Sequence, residues 1–436
     1  MYRKIEAQLK EWKETIDKKP LLIKGARQIG KTYSVQKFIK NNYKRSVSIN
    51  FEENLEARRF FCGTSLPSDI VSYLNLRYPE LQNDQDERGI LFLDEIQACP
   101  QALTSLKFMQ EPSFPFDVIA SGSLLGVAIQ RTSSFPVGYV TQIEMFPMDF
   151  EEFLLAAEPA GRTVQALKEL AAHPHRINEE MHQIYLSLFD AFVVCGGLPE
   201  SVKAYVETRE YSKSRKVLHQ LNMAYKDDIA KYADAGTKIR ARECFESIPL
   251  QLAKDNRKFQ YKLVHEGYSA RHFEASLQWL RDSGLIYPCF RLSRIEKPLE
   301  TFRDLSAFKI YEFDTGILLS QMSEEDQVDI LLGDMGLYKG FLYENVCAQI
   351  LACTKRKLYY AQPGNSSEID FVINLNSKIV PIEVKAGKHI KSRSLNDFVS
   401  KYSSESAYRF SRKNMPEIEN QGPVQYLPYY LMPFIL

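Results

Sequence analysis

The sequence predicts an α/β protein: a parallel sheet with helices on both faces in the first third, a helical middle, and a second α/β segment at the C-terminal end. Three observations predict it. Short apolar runs alternate with helical segments through residue 145, residues 149 to about 231 read almost wholly as helix, and two adjacent apolar runs near residues 370 and 380 carry charged residues at strand spacing.

The first apolar run, Leu21-Leu22-Ile23, leads into Gly25-Ala26-Arg27-Gln28-Ile29-Gly30-Lys31-Thr32, and a helical stretch follows over Tyr33 to Asn41. Strand, glycine-rich turn and helix in that order form a phosphate-binding loop. The glycines let backbone N–H groups face phosphate oxygens, Lys31 reaches the β- and γ-phosphates, and Thr32 offers a hydroxyl to Mg²⁺. ATP with Mg²⁺ is therefore the expected cofactor pair, held by residues 25–32.

Further strands are expected over Ser46 to Phe51, Ile90 to Leu93, Val118 to Ala120 and Val140 to Met145. The run Ile90 to Leu93 ends in Asp94-Glu95, as a buried parallel strand delivers carboxylates to the carboxyl edge of its sheet. Asp94 is expected to share the Mg²⁺ with Thr32, and Glu95 to polarise the attacking water; with Lys31 these are the expected catalytic residues. The run after it ends in Ser121-Gly122-Ser123. Both serines are sensor candidates toward the γ-phosphate or the water, Ser123 being placed in the nucleotide site, and a helix cap is the alternative role. Arg131 is a candidate source of positive charge for this site or a neighbour's.

With 436 residues the chain exceeds one hydrophobic core, and four segments are expected: an ATP-binding domain over 1–150, a helical lid-type region over 151–235, a winged-helix module over 236–320 and an α/β domain over 321–436. Gly196-Gly197-Leu198-Pro199 reads as a helix stop. In the third segment, an amphipathic helix near Glu243 to Ala253, the helix Ala270 to Ser283 with Phe273, Leu277 and Leu280 on one face, and a turn into a strand follow the order of a winged helix-turn-helix. Arg271, His272 and Arg281 would approach phosphates there, although such modules also serve purely as packing units.

The net charge of +1 gives no global argument for nucleic acid, and the apolar and charged fractions, 44% and 25%, are those of a globular protein. No apolar stretch has the length of a membrane span, and a cytoplasmic protein is expected. The seven cysteines have no paired metal-ligand spacing, which fits reduced thiols.

In the last segment, Glu383 and Lys385 are two apart and share a strand face. If Asp370 lies across from Glu383, the two carboxylates form a second divalent-metal site beside Lys385, with Glu344, on an amphipathic helix, completing the acidic set. This acid, spacer, Glu-x-Lys arrangement looks like the core of restriction-endonuclease-like nucleases.

The chain as a whole resembles prokaryotic ATPases that join an AAA-like P-loop domain to a C-terminal domain of unknown function with such a nuclease-like core. The resemblance covers nearly the full length and rests on residues 25–32, Phe92 to Gln97, Gly122-Ser123, Phe146 to Leu154, Gly196 to Pro199, Asp227 to Ile229, Glu368 to Phe371 and Ile382 to Gly387. It implies an ATPase domain, a winged-helix middle and a metal-dependent-nuclease-like end. One departure is Gly138-Tyr139 where the family shows Gly-Arg, which implies slow hydrolysis or reliance on Arg131. The expected function is an ATP-driven switch whose nucleotide state controls a C-terminal half acting on DNA. The alternatives are a metal-dependent DNA nuclease gated by ATP and an ATP-binding scaffold for a protein partner that cleaves nothing; a homo-oligomer or a protein partner is the expected assembly.

Overall fold

The computed structural model describes the chain apart from residues 64–65, 80–87, 124, 127–137, 234, 255–256, 332–337, 365–366, 386–392 and 418–421. Residues 2–146 with 282–284 make one compact unit; residues 147–281 and 285–436, with Met1, make the other.

In the first unit, the strands β1 (Leu21–Lys24), β2 (Ser46–Asn50), β3 (Gly89–Asp94), β4 (Phe116–Gly122) and β5 (Thr141–Glu144) form one sheet in the order β2-β3-β4-β1-β5, with every pairing parallel. Helices α1 (Ile5–Glu14) and α2 (Lys31–Asn42) and three further helices over Leu55–Gly63, Pro67–Arg77 and Pro100–Met109 accompany it. The strands β3 and β4 are buried along their whole lengths, which is why they read as continuous apolar runs. Strand β4 begins two residues before its apolar run, because Asp117 is buried rather than solvated: it accepts from Tyr43 Oη (2.8 Å) and pairs with Arg88 (3.1 Å) and Lys18 (3.2 Å). In the sheet, β4 lies between the loop-bearing β1 and the acid-bearing β3, so the three strands that carry site residues are neighbours.

The second unit opens with helices over Phe150–Ala157, Arg162–Ala172, Glu179–Cys195, Pro199–Thr208, Tyr211–Tyr232 and Ala235–Leu252. The first is started by a reciprocal capping box, in which Asp149 accepts from the Glu152 amide and Glu152 from the Asp149 amide. Gly196 and Gly197 stop the helix Glu179–Cys195 for a reason beyond turn propensity. Gly196 has φ +66°, an added Cβ would lie 2.1 Å from Asp314 Oδ1, and the Gly197 amide donates to Asp314 Oδ2 at 2.6 Å. Burial pushes Asp314 up to about 6.

The helix Ala270–Asp282 buries Phe273, Ser276, Trp279 and Leu280 and leaves Arg271 and Arg281 exposed. His272, half-buried on the same helix, accepts at Nδ1 from the Ser269 amide (3.0 Å). The strand after this helix, β6 (Ile286–Leu292), pairs antiparallel with β7 (Arg303–Glu312), as a wing would, and also parallel with β8 (Leu358–Gly364). It is thus an interior strand of a sheet ordered β7-β6-β8-β9, with β9 spanning Ser367–Ile369. A second sheet, β10 (Phe371–Leu375), β11 (Lys378–Lys385), β12 (Ala407–Ser411) and β13 (Val424–Pro428), has one antiparallel and two parallel pairings. Among the described residues, no helix is long and apolar enough to cross a membrane.

The candidate nucleotide site

Gly25 to Thr32 runs from the carboxyl end of β1 into α2, as the residue order requires. Gly25 has φ +149°, and a Cβ there would lie 2.2 Å from the Met145 carbonyl oxygen, so only glycine lets the loop leave the strand this close to its neighbour. Gly30 is the N-cap of α2 and supplies no side-chain acceptor, which leaves the first-turn N–H groups of the helix to an anion. Arg3 secures the loop from outside. Its guanidinium is buried and donates to the Ile29 carbonyl (2.5 Å) and to the Phe146 carbonyl just beyond β5 (2.7 Å).

Lys31 is 6% exposed, and its ammonium donates to the carbonyls of Gly25 (3.0 Å) and Ala26 (2.7 Å). Burial pulls it down from 10.5 to about 8, against the opposing pull of Glu95 and Asp94. Thr32 Oγ1 donates to Asp94 Oδ2 at 2.8 Å, and Ser121 Oγ donates to Asp94 Oδ1. Ser123 Oγ donates to Glu95 Oε2 at 3.1 Å, and Gln97 Nε2 donates to the same oxygen. Arg27 Nε donates to Ser123 Oγ (3.2 Å), while its Nη2 pairs with Glu52 at 3.0 Å. Glu95 holds φ +49°, a left-handed conformation rare for a residue with a Cβ, at the turn where β3 passes into a short 3₁₀ segment over Ile96–Ala98.

Lys31, Thr32, Asp94, Glu95, Ser121 and Ser123 therefore stand together at the carboxyl edge of three adjacent parallel strands. A buried carboxylate hydrogen-bonded to a threonine hydroxyl is an oxygen donor set suited to Mg²⁺, and the uncapped helix terminus with the lysine beside it suits a polyphosphate. The hydroxyls of both serines lie toward the two carboxylates. Gln28 adopts φ +60° within the loop. Tyr139 lies under the Lys107 ammonium, 5.1 Å from the ring centre, and Arg131 falls outside the described residues. Residue order alone did not reveal Arg3 or Gln97, since the partners of Arg3 are 26 and 143 residues away.

Residues 17–154 match the family model described as AAA domain. The N-terminal unit is AAA-like. Residues 186–327 and 339–430 match two domains of unknown function, DUF8612 and DUF4143, which bring no fold or activity with them. A search of curated proteins finds no match. Among solved structures, the Walker-type ATPase of Pyrococcus abyssi is 15% identical, with 73% of this chain and 95% of that chain covered and a TM-score of 0.45. The Aeropyrum pernix ORC1 protein, solved in complex with DNA, is 13% identical over 76% of this chain and 92% of its own, with a TM-score of 0.28. The functional reading stands on the residues of the AAA-like unit and on the family match, not on these likenesses.

The second set of expected site residues behaves differently. Lys385 Nζ lies 3.3 Å from Glu383 Oε1, as residues on one strand face should, but Glu383 Oε2 also faces Arg409 Nε at 3.6 Å from the neighbouring strand. Asp370, next to the Phe371–Ile382 pair of the register, accepts at Oδ2 from the Val384 amide at 2.8 Å. The helix bearing Glu344, Tyr338–Cys353, is not amphipathic: from Phe341 to Ala352 it is buried all round. There Glu344 accepts from Lys309 (3.0 Å) and Tyr311 and meets Arg257, and Lys309, fully buried, also pairs with Glu368 at 2.6 Å. Protein cations thus answer Glu344 and Glu383. Among the described residues, no three histidine, cysteine or acidic side chains gather as a metal site.

Proposed function

We propose that this protein is an ATP-driven switch: the N-terminal unit binds and hydrolyses ATP, and the nucleotide state controls how the C-terminal half engages DNA. The observation that carries the reading is the hydrogen-bonded cluster that joins the loop to both carboxylates, Thr32 to Asp94 directly and Arg27 to Glu95 through Ser123. Lys31 exchanges its two loop carbonyls for phosphate oxygens, which return the charge balance that burial has disturbed. Thr32 and Asp94 hold Mg²⁺, which supplies charge compensation at the phosphates. Glu95, its carboxylate oriented by Ser123 and Gln97, orients a water for attack and accepts its proton. Support for DNA comes from the helix Ala270–Asp282, which follows the helix-turn-helix order and exposes Arg271 and Arg281.

The test is ATP hydrolysis by the full chain with Mg²⁺, alone and with single-stranded DNA, duplex DNA or RNA. Multiple turnover raised by duplex DNA is the expected result. No turnover despite ATP binding would replace the switch with a scaffold, and turnover indifferent to every nucleic acid would remove DNA as the partner. Cleavage of the DNA with Mg²⁺ or Mn²⁺ would favour a nuclease gated by ATP.

A further inference from the structure

Two thiols meet beside the catalytic turn. Cys62 is exposed, near the end of the helix Leu55–Gly63; Cys99 is buried, immediately after the turn that carries Glu95. Their sulfurs lie 3.5 Å apart, although 37 residues separate them in sequence. A disulfide needs the sulfurs at about 2.05 Å, so closing the bond asks for an approach of about 1.5 Å. The helix Leu55–Gly63 already contacts the helix Pro100–Met109 that follows Cys99, and Phe61, Ala102 and Leu103 belong to one apolar cluster, so this movement is a local adjustment and not a refolding.

We propose that Cys62 and Cys99 form a reversible regulatory disulfide, with a peroxide as oxidant, that slows ATP turnover by displacing Glu95. The exposed Cys62 sulfur attacks one peroxide oxygen, breaks the O–O bond and becomes a sulfenic acid, releasing water from hydrogen peroxide. The Cys99 sulfur then attacks the Cys62 sulfur; the S–S bond forms and the hydroxyl leaves as a second water with the Cys99 proton. Two electrons pass from the thiols to the peroxide, and a small dithiol reverses the step by exchange. The order follows from access. Cys99 is buried, and burial pushes its thiol up to about 12, so the thiol that meets the oxidant is Cys62.

The coupling runs through the backbone. The Cys99 amide donates to the Ile96 carbonyl and the Ala98 amide to the Glu95 carbonyl, both at 3.0 Å, so a pull on Cys99 reaches a glutamate already held in a left-handed conformation. Lys31 and Thr32 are held by α2 and Asp94 by β3, and none of the three is on this turn, so nucleotide affinity is expected to hold while turnover falls. A misplacement of about 1 Å can cost up to ~10²-fold in rate, and a fall of ten- to a hundredfold in turnover is the expected scale.

The effect on turnover rests on the proposed ATPase reading; the bond itself does not. The full-length protein is treated with limiting hydrogen peroxide, its remaining thiols are blocked, and a non-reducing peptide map is taken alongside ATP turnover and nucleotide binding. A peptide linking Cys62 to Cys99, short of two hydrogens, is expected, with turnover lowered and affinity unchanged, and dithiothreitol should restore both the thiols and the turnover. Cys62→Ser, a change at an exposed position, should keep basal turnover and lose the response. A map without that linked peptide overturns the inference, as does a linked protein that hydrolyses ATP as fast as the reduced one. Should the reduced protein not hydrolyse ATP at all, the ATPase reading fails while the peptide map still decides the bond.

Discussion

Replacing Lys31 by methionine keeps the length of the side chain and removes the charge. Burial holds this lysine at about 8 where an ordinary lysine lies at 10.5, and at about 1.4 kcal/mol per tenfold the folded protein without nucleotide carries about 3 kcal/mol of penalty for keeping it charged. The substitution also removes two hydrogen bonds to loop carbonyls, worth about 1 kcal/mol each, so Lys31→Met should leave stability unchanged or raise it by about 1 kcal/mol. The pH dependence fixes the sign. Between about 8 and 10.5 the unfolded chain binds a proton that the folded chain has released, so wild-type stability rises with pH across that window and the penalty is complete below it. Urea denaturation of both proteins at pH 7 and pH 10 measures this, and the methionine variant should lack the lysine's share of the rise. ATP gives the opposite outcome: at a hundred times Kd it should stabilise the wild type by about 2.7 kcal/mol and the variant not at all. A variant that is clearly less stable than wild type at pH 7, or that ATP still stabilises, would refute the reasoning.

Other expectations follow from the same geometry. Glu95→Gln keeps the shape of the turn and the Asp94 carboxylate, so it should bind ATP like wild type while turnover falls by about 10²-fold or more in a steady-state phosphate-release assay. Gly25→Ala places a methyl group 2.2 Å from the Met145 carbonyl oxygen and should cost about 1–3 kcal/mol in urea denaturation together with nucleotide binding. An Arg271→Ala, Arg281→Ala double variant should bind duplex DNA more weakly and with a shallower salt slope in fluorescence anisotropy, about one unit shallower for each phosphate no longer neutralised.

The parts of the fold legible in the sequence are those whose cause is local. Strands β1, β3 and β4 announce themselves because a parallel strand covered on both faces is a short apolar run, whereas β2 alternates buried and exposed residues and shows by its period of two; the phosphate loop is legible because glycine, lysine and threonine are needed at fixed offsets. Asp117 hid the true start of β4, since its three partners come from positions 18, 43 and 88. Tyr338–Cys353 looked two-faced from its polar residues, but Glu344, Asn345 and Gln349 are all buried and find partners on the stretch from Lys309 to Thr315. In the same way, nothing near Glu383 in the sequence foretells Arg409, which parallel pairing of β11 with β12 sets directly beside it. Charge at a strand or helix position signals its chemistry only after the opposite charge has been found, and that partner is a product of tertiary structure.

Arg3 has a practical consequence. Its guanidinium is bonded to the Ile29 carbonyl of the phosphate loop and to the Phe146 carbonyl beyond β5, from a position two residues behind Met1. A change at Arg3 therefore reaches the nucleotide loop, although this residue lies outside every recognisable motif. Replacing Arg3 by alanine takes the donor from two carbonyls at once and frees the loop from this tether, so ATP affinity is expected to weaken in that variant with every motif residue intact.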